Sequence, residues 1–186
     1  MKLLWQSLVS VFAFTLLTGA AYPLLITGVG QLLWHDKAMG SLVKDKNIVR
    51  GSALIAQKFT KPEYFWPRPS AGDYNAVPSS ASNLGPTSKA LKTQIHKNRM
   101  GQENVPLDLI TTSGSGLDPH ISPRATAWQM ARVTKARNLD DVKKAELQQL
   151  VDLAVEKSQL GALGMPRVNV LLLNSLLDDS FGKMGS

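Results

Sequence analysis

Residues 3–34, LLWQSLVSVFAFTLLTGAAYPLLITGVGQLLW, form a run of 32 residues without Asp, Glu, Lys, Arg or His. A bilayer core about 30 Å thick needs about 20 apolar residues, because a helix rises about 1.5 Å per residue. The run is long enough to cross that core and to place Trp5 and Trp34 at the two headgroup regions, which indole rings prefer. The sequence therefore predicts a single N-terminal transmembrane helix within residues 1–35.

A cleaved signal peptide is the competing interpretation of this run. Lys2 precedes the apolar residues, and the small residues Gly19, Ala20 and Ala21 resemble a cleavage site. The apolar region of a signal peptide has about 7–15 residues, however, and this run continues to Trp34. We therefore expect the helix to remain as a membrane anchor.

Three residues predict how this helix packs: Thr15, Gly19 and Pro23. Thr15 and Gly19 are small residues four positions apart, a spacing that lets a neighbouring helix backbone approach closely. Pro23 lacks a backbone N–H and predicts a kink. Because small-residue pairs are frequent in membrane helices, a helix surrounded only by lipid stays open as an alternative to a partner helix.

Residues 36–186 are sufficient for one soluble domain with its own core. Their charge is uneven, since residues 36–100 hold 11 Lys/Arg against 4 Asp/Glu, while residues 101–186 hold 9 against 10. A basic surface suits the lipid bilayer or an acidic protein partner. No nucleic-acid partner is predicted, because Lys/Arg runs never exceed two residues and no basic motif is interleaved with aromatics. The lack of cysteine excludes disulfides and thiolate metal sites.

Hydrophobic spacing and turn residues predict a mixed α/β domain of the α+β kind. Strands are predicted at residues 51–58, 105–112 and 168–173, and helices at 87–100, 123–138, 141–158 and 174–179. Ser122 and Asp140 are predicted N-caps, with Pro123 at the first helical position. Residues 59–86 contain five prolines and several large aromatic residues, which favours a long ordered loop over a flexible linker.

The inward faces of the longer helices follow from the same spacing. They are predicted at Leu91, Ile95 and Met100, at Ala127, Met130, Ala131 and Val133, and at Val142, Leu147, Leu150, Val151, Leu153 and Ala154.

A Ser-Gly-Ser-Gly loop is the main candidate for chemistry, and its residues are Ser113, Gly114, Ser115 and Gly116. Asp118 and His120 follow it, which supplies the residue types of a nucleophile, base and acid, but triad members usually come from distant segments. The same backbone could cradle a phosphate, yet no Lys follows as in a nucleotide P-loop. A tight structural loop with glycines at positive φ is the simplest interpretation.

No metal site and no catalytic residue are predicted. His35, His96 and His120 are scattered without the spacing of metal ligands. The chain also lacks a DKTGT-type stretch, in which the phosphorylated Asp of a transport ATPase would lie.

Several segments occur in the order found in one known family. They are residues 22–24 (YPL), 51–59 (GSALIAQKF), 64–71 (YFWPRPSA), 82–86 (SNLGP), 108–123 (DLITTSGSGLDPHISP), 168–171 (VNVL) and 173–174 (LN). Together they resemble the KdpC family, whose members belong to the bacterial potassium-transporting Kdp complex, a P-type ATPase assembly. The resemblance covers nearly the whole chain. Departures are small: Ala56 stands where the family usually has Gly, Trp66 and Pro67 where it often has His and Gly, and the loop before Val105 is short.

The resemblance implies a non-catalytic accessory subunit of a high-affinity, ATP-driven potassium import complex. In such complexes a channel-like subunit translocates potassium, an ATP-hydrolysing subunit supplies the energy, and the single-pass KdpC protein stabilises their assembly. ATP and potassium are then handled by the complex, and no cofactor is expected on this chain. The resemblance also implies the bacterial inner membrane, with the N-terminus in the cytoplasm and the domain extracytoplasmic.

Two alternatives accompany this interpretation. The family resemblance implies that the chain could act as a catalytic chaperone that raises the ATP affinity of the ATP-hydrolysing subunit, with the Ser-Gly-Ser-Gly loop as nucleotide contact. That role conflicts with an extracytoplasmic domain, because ATP lies in the cytoplasm. From another class of protein, a membrane-tethered serine hydrolase would use Ser115 and His120.

Overall fold

The computed structural model describes residues 1–46 and 48–183 and divides the chain into two compact units, Met1–Leu42 and Val43–Ser186. The last three residues of the domain expected from the sequence, 184–186, lie outside the described residues. The sequence-based division at residues 35 and 36 stays a prediction.

The first unit is built from the apolar run. It comprises α1 (Lys2–Leu16), a π-helical turn (Leu17–Ala21), α2 (Tyr22–Leu33) and a short α3 (His35–Ala38). None of its helical residues is buried. The segment Lys2–Leu33 is long and apolar enough to cross a membrane, and it is the one such helix in the described part of the chain.

The π-helical turn ends at Ala21, two residues before Pro23. Pro23 cannot donate to the carbonyl of Gly19, its α-helical partner. In the widened turn, the N–H of Tyr22 donates to the carbonyl of Leu17, five residues earlier. The kink expected at Pro23 stays a prediction, and the structure shows a π-helical turn before this residue.

The second unit contains two small sheets. Strands β1 (Leu42–Asp45) and β2 (Ile48–Ser52) form the first sheet. The second is antiparallel, with the order β3 (His120–Ile121), β5 (Arg167–Asn169) and β4 (Val155–Glu156). In its register Ile121 and Val155 both lie opposite Val168, so the apolar residues of three strands meet on one face.

Five helices complete the described part of the second unit: α4 (Lys89–Arg99), α5 (Leu107–Ile110), α6 (Pro123–Ala136), α7 (Asp141–Ala154) and α8 (Val170–Phe181). Ser122 caps α6 by accepting from the N–H of Ala125, and Asp140 caps α7 by accepting from the N–H of Lys143. Both predicted caps are confirmed, and so is Pro123 as the first residue of α6.

The core lies between the second sheet and helices α6, α7 and α8. Its buried members are Phe65, Ile121, Ala125, Val133, Leu147, Val151, Val168, Val170, Leu173 and Leu177. Phe65 comes from residues 53–88, a segment of turns and extended chain without a described helix or strand. A mixed helix-and-sheet domain is therefore confirmed, and a long ordered loop contributes to its core.

Three predicted strands are wrong in whole or part. The strand predicted at 51–58 ends at Ser52, whose hydroxyl accepts from the N–H of Leu54 and starts a turn. Residues 105–112 contain one helical turn, α5, in place of a strand. The strand predicted at 168–173 ends at Asn169, because its side chain accepts from the N–H of Leu172 and caps α8. This helix therefore begins four residues before the predicted start.

Some predicted inward faces are also wrong. Met100 is exposed because it is the left-handed C-cap of α4. In α6 the buried face is Ala125, Thr126, Gln129 and Val133, whereas Ala127 and Ala131 are exposed. In α7, which ends at Ala154 rather than 158, Leu147 and Val151 are buried, but Val142 and Leu153 are exposed. In α6, the polar residues Thr126 and Gln129 at inward positions shift the buried face away from the one expected from apolar spacing.

Candidate functional site

The Ser-Gly-Ser-Gly loop is a tight turn joined to the long loop 53–88. Ser113 is buried and donates its N–H to the carbonyl of Pro69 over 3.1 Å. Gly116 closes the turn by donating its N–H to the carbonyl of Ser113 over 3.2 Å. Ser115 is exposed, and its hydroxyl accepts from the N–H of Leu117 at 3.1 Å. The loop is thereby held by its own backbone and by one hydroxyl.

Gly116 is the position where this turn requires glycine. Its φ is +74°, in the left-handed region, and an added Cβ would lie 2.7 Å from the carbonyl oxygen of Ser80. A side chain would be strained by the backbone conformation and would also collide with a neighbouring main chain. The positive φ expected for the glycines of this loop is confirmed at Gly116 and is wrong for Gly114, which is not in the left-handed region.

A charged cluster lies beside the loop and consists of Arg68, Asp118 and His120. The guanidinium of Arg68 donates to Asp118 Oδ2 over 3.1 Å, and the other carboxylate oxygen accepts from the N–H of His120 at 3.0 Å. The ring nitrogen Nδ1 of His120 is 3.5 Å from that same oxygen, Oδ1. These residues, with Met165 and others, line a recess of about 510 Å³.

The geometry does not bring the hydrolase candidates together. Asp118 and His120 are paired, but no hydrogen bond joins Ser115 to His120 within the described residues. The hydroxyl of Ser115 is engaged with the backbone of Leu117. A nucleophile must contact its base, so this arrangement fixes a loop and does not assemble a triad.

The four residues predicted as nucleotide contacts do lie together in one turn. The N–H groups of Gly114 and Ser115 sit on exposed residues and make no hydrogen bond within the described residues. Two free N–H groups can attract an anion, although a phosphate cradle normally has more of them and a Lys as well.

Sequence reasoning missed the most elaborate polar arrangement of the domain, which holds the aromatic residues Tyr64, Phe65 and Trp66. The buried carboxamide of Asn174 accepts from the N–H of Phe65 at 2.9 Å and donates to its carbonyl at 2.9 Å. The buried carboxamide of Gln129 accepts from the N–H of Trp66 at 2.8 Å and donates to its carbonyl at 3.0 Å. Each carboxamide thus pairs with both the N–H and the carbonyl of one loop residue, as a neighbouring strand would.

Two arginines of α6 complete this arrangement. Arg132 donates to the carbonyl of Tyr64 over 2.9 Å and stacks 3.7 Å above the ring of Trp66. Burial lowers the pKa of Arg132 to about 10, which still leaves it charged at neutral pH. Arg137, the C-cap of that helix, donates to Asp178 over 2.8 Å and to the carbonyl of Glu63 over 2.9 Å.

Tyr64 completes the contact with α8 by donating its hydroxyl to Asp178 over 3.0 Å. Burial and this hydrogen bond raise the pKa of Tyr64 above its usual value. We call residues 63–66 with these side chains, Gln129, Arg132, Arg137, Asn174 and Asp178, the aromatic clamp. Its signals in the sequence were the aromatic residues of the long loop and the polar spacing along α6.

A second cavity, of about 530 Å³, lies between the first sheet and α8 and is lined by four cations and by the carboxylates of Asp45, Asp178 and Asp179. Its cations are Lys44, Lys46, Arg50 and Lys183. Asp45 accepts hydrogen bonds from Lys183 and from Arg50, and both cations hold the pKa of its carboxyl below the usual value. Among the described residues no group of three or more His, Asp or Glu is placed to hold a metal ion.

The fold defines a class of protein: one candidate membrane-spanning helix followed by a compact mixed α/β domain whose polar residues fix its own loops. The family model described as "K+-transporting ATPase, c chain" matches residues 4–179. The chain therefore belongs to the KdpC family, as the resemblance of its segments predicted.

Curated bacterial relatives support this assignment over almost the full length. A Potassium-transporting ATPase KdpC subunit of Rhodospirillum rubrum is 50% identical, and the alignment covers 97% of each chain. The subunit of Myxococcus xanthus is 50% identical over 90% of this chain and 83% of its own. That of Paraburkholderia phytofirmans is 47% identical over 96% of this chain and 98% of its own.

Proposed function

We propose that this chain is a non-catalytic accessory subunit of an ATP-driven potassium import complex. It stabilises the assembly of the channel-like, potassium-translocating subunit with the ATP-hydrolysing one. The observation that carries the proposal is the helix Lys2–Leu33, which has no charged residue after Lys2, is long and apolar enough to cross a membrane, and has no buried residue. A surface of this kind requires lipid or another helix, and the relatives are named as subunits of a potassium-transporting ATPase.

The face marked by Thr15, Gly19 and Pro23 is the proposed contact with the channel-like subunit. A Cβ built on Gly19 would meet only the methyl group of Thr15, at 4.0 Å. The backbone is therefore open to close approach on that side. The π-helical turn Leu17–Ala21 widens the helix locally around Gly19. This widening would fit a neighbouring helix only at the height of Gly19.

The proposal places the N-terminus in the cytoplasm and the domain outside, on the bacterial inner membrane. Lys2 and the amino terminus face Lys37, Lys44 and Lys46 across the helix, so the count of nearby cations does not support the proposed orientation by itself. Long domains are translocated largely regardless of charge, which is compatible with the proposed topology. Protease accessibility on oriented vesicles tests it: cleavage of the domain from the cytoplasmic side would contradict the proposal.

The catalytic-chaperone role is favoured by one feature, the N–H groups of Gly114 and Ser115, which are free within the described residues. An extracytoplasmic domain, however, has no access to cytoplasmic ATP. Labelling of the intact complex with a photoreactive ATP analogue separates the two roles. We expect label on the ATP-hydrolysing subunit only, and label on this loop would favour the chaperone.

Replacement of Gly19 by Leu tests the assembly role. The bulky side chain occupies the space that a neighbouring helix needs, so the yield of complex should fall, while insertion of the helix is unaffected. ATPase activity per intact complex should stay near the wild-type value, because this chain supplies no catalytic group. The measurement is co-purification of the other subunits together with potassium-stimulated ATP hydrolysis.

Gly28→Leu is the matched control. Gly28 also has open space around it. It lies nine residues after Gly19, and because a helix turns about 100° per residue, it lies on roughly the opposite face. The yield of complex with Gly28→Leu should lie closer to the wild-type yield than the yield with Gly19→Leu does. Intact complexes of normal composition with abolished turnover would show that this chain takes a direct part in the reaction cycle, contrary to the proposal.

A further inference from the structure

The cavity of about 530 Å³ between the first sheet and α8, called here the charged cavity, lies apart from the Ser-Gly-Ser-Gly loop, and no residue of that loop lines it. Its lining comes from the first sheet with Lys46, from Gln57, Phe59 and Tyr64 of the long loop, and from α8 with Lys183. Ligand sites in proteins usually have volumes of about 300–1,000 Å³. The charged cavity is therefore large enough to hold a small molecule.

The neutral polar side chains of the charged cavity already make hydrogen bonds within the domain. The carboxamide of Asn174 belongs to the aromatic clamp. The hydroxyl of Ser175 donates to the carbonyl of Leu171 at 3.0 Å, and the amide of Gln57 donates to the carbonyl of Arg50 at 2.9 Å. The charged side chains are therefore the groups with the most capacity left for a ligand.

Two of the three lining carboxylates are paired. Asp178 accepts from Arg137 over 2.8 Å, and because Arg137 does not line the charged cavity, it neutralises this carboxylate from outside. Asp45 accepts from both Arg50 and Lys183, so two cations share one carboxylate. Neither carboxylate can compensate a further cation of the lining.

Positive charge is left in excess. Lys44 and Lys46 are exposed and make no ion pair or hydrogen bond with the described residues. Arg50 uses one guanidinium nitrogen on Asp45, at 2.8 Å, and its guanidinium group has further donors. Asp179 is exposed and is the one lining carboxylate without a pair among the described residues. An anion that carries about one to two negative charges, as a phosphate group does, would balance this lining.

The unpaired lysines also lie close to the apolar helix in the sequence. Lys44 and Lys46 follow Leu33, the last residue of α2, within about 15 residues, the range in which cations act at a membrane surface. A phosphate group could therefore come from the headgroup of an anionic lipid or from phosphate in solution.

We propose that the charged cavity binds a phosphate group through Lys44, Lys46 and Arg50. The planar guanidinium of Arg50 matches two phosphate oxygens, and the two lysines act as point charges. This binding does not require membership in the potassium-transporting complex. Failure of complex assembly and failure of phosphate binding are therefore distinguishable results.

Thermal unfolding of the full chain in micelles of a neutral detergent, at constant pH and ionic strength, tests the proposal. One arm adds inorganic phosphate and the other adds short-chain phosphatidylglycerol. A ligand of the native state raises the midpoint with its concentration, so we expect a saturable rise in at least one arm. A rise with phosphatidylglycerol alone identifies the lipid headgroup as the source, and a rise with inorganic phosphate shows that the free ion suffices. No saturable rise in either arm, or an equal rise with acetate, overturns the proposal.

The double variant Lys44→Gln, Lys46→Gln should weaken the apparent affinity about tenfold, because two charged donors are lost. Its midpoint without ligand should match the wild type, since neither lysine has a partner among the described residues. The matched control is Lys89→Gln, Lys92→Gln, which removes the same charge from exposed positions of α4 outside the charged cavity. The control should change the affinity less than about twofold. An equal loss in both variants would mean general surface attraction and would overturn the site.

Asp179→Asn keeps the test decisive if the lysine variant folds poorly. This change removes the unpaired carboxylate, which repels an anion in the charged cavity. The apparent affinity should therefore rise about threefold. An unchanged or weaker affinity would contradict the proposal.

Discussion

At the scale of single residues, Gly116 and Ser115 separate a structural loop from a reactive one. Gly116 combines a φ of +74° with a main-chain oxygen 2.7 Å from the position of a Cβ. Ser115 is exposed and makes one hydrogen bond through its side chain. A substitution of Gly116 would therefore disturb the backbone, whereas a substitution of Ser115 would remove one hydrogen bond.

We expect Gly116→Val to destabilise the domain by about 1–3 kcal/mol, because the backbone conformation is strained for Val. Ser115→Ala should cost less than about 0.5 kcal/mol, as is usual for an exposed side chain. Thermal unfolding of the two variants measures the difference. The opposite ranking, or a measurable hydrolase activity that Ser115→Ala abolishes, would revive the serine-hydrolase interpretation.

Single residues also show which features were predictable. Ser122, Pro123 and Asp140 were recognised because a helix start is decided by residues within one turn of each other. Gln129 was not recognised as an inward residue, because its partner Trp66 lies 63 positions earlier. Apolar spacing contains no information about such a distant polar pair.

At the scale of elements, the aromatic clamp replaces a strand pairing with side chains from α6 and α8. Its two carboxamides are buried, and each makes two hydrogen bonds to loop backbone. Removal of the Asn174 carboxamide leaves the buried N–H and carbonyl of Phe65 without partners. Unsatisfied buried groups cost about 1–3 kcal/mol each.

Asn174→Leu should therefore destabilise the domain by on the order of 3 kcal/mol, although Leu has a similar volume. Asn98→Leu is the control, since Asn98 is only partly buried and makes one hydrogen bond, to the carbonyl of Ile110 at 3.0 Å. Asn98→Leu should therefore lower the free energy of unfolding by about 1 kcal/mol. Urea unfolding of the chain in detergent measures both values, and equal losses would contradict the role given to the aromatic clamp.

Two of the three wrong strands share one physical cause. Residues 105–112 and 168–173 are rich in Val, Ile and Leu, which favour a strand when the sequence is considered locally. In the structure Asn169 caps a helix within the second segment, and a single helical turn follows Pro106 in the first. Caps and packing determine the secondary structure of these two segments, and the strand propensity of their residues does not.

At the scale of the whole molecule, the chain consists of an apolar helix unit and a compact domain unit. Among the described residues, the core of the domain contains none from the first unit. The domain should therefore fold without the helix and remain in solution. We expect residues 36–186 alone to give a cooperative thermal transition.

The same shortened chain should not join the complex, because the proposed contact with the channel-like subunit lies in the missing helix. Co-purification with the other subunits, compared with that of the full chain, measures this effect. Recovery of normal assembly from residues 36–186 would contradict the anchor role. Loss of the folded domain would instead show that the helix supports folding.

The aromatic clamp has one further consequence, for the way in which the long loop can move. Phe65 and Trp66 are adjacent, and four hydrogen bonds from two different helices fix their backbones. A shift of the segment by one residue would break all four together, so the loop cannot slide past α6 and α8 in small steps. It leaves the core as one cooperative unit or stays in place, and its local stability is coupled to the packing of those two helices.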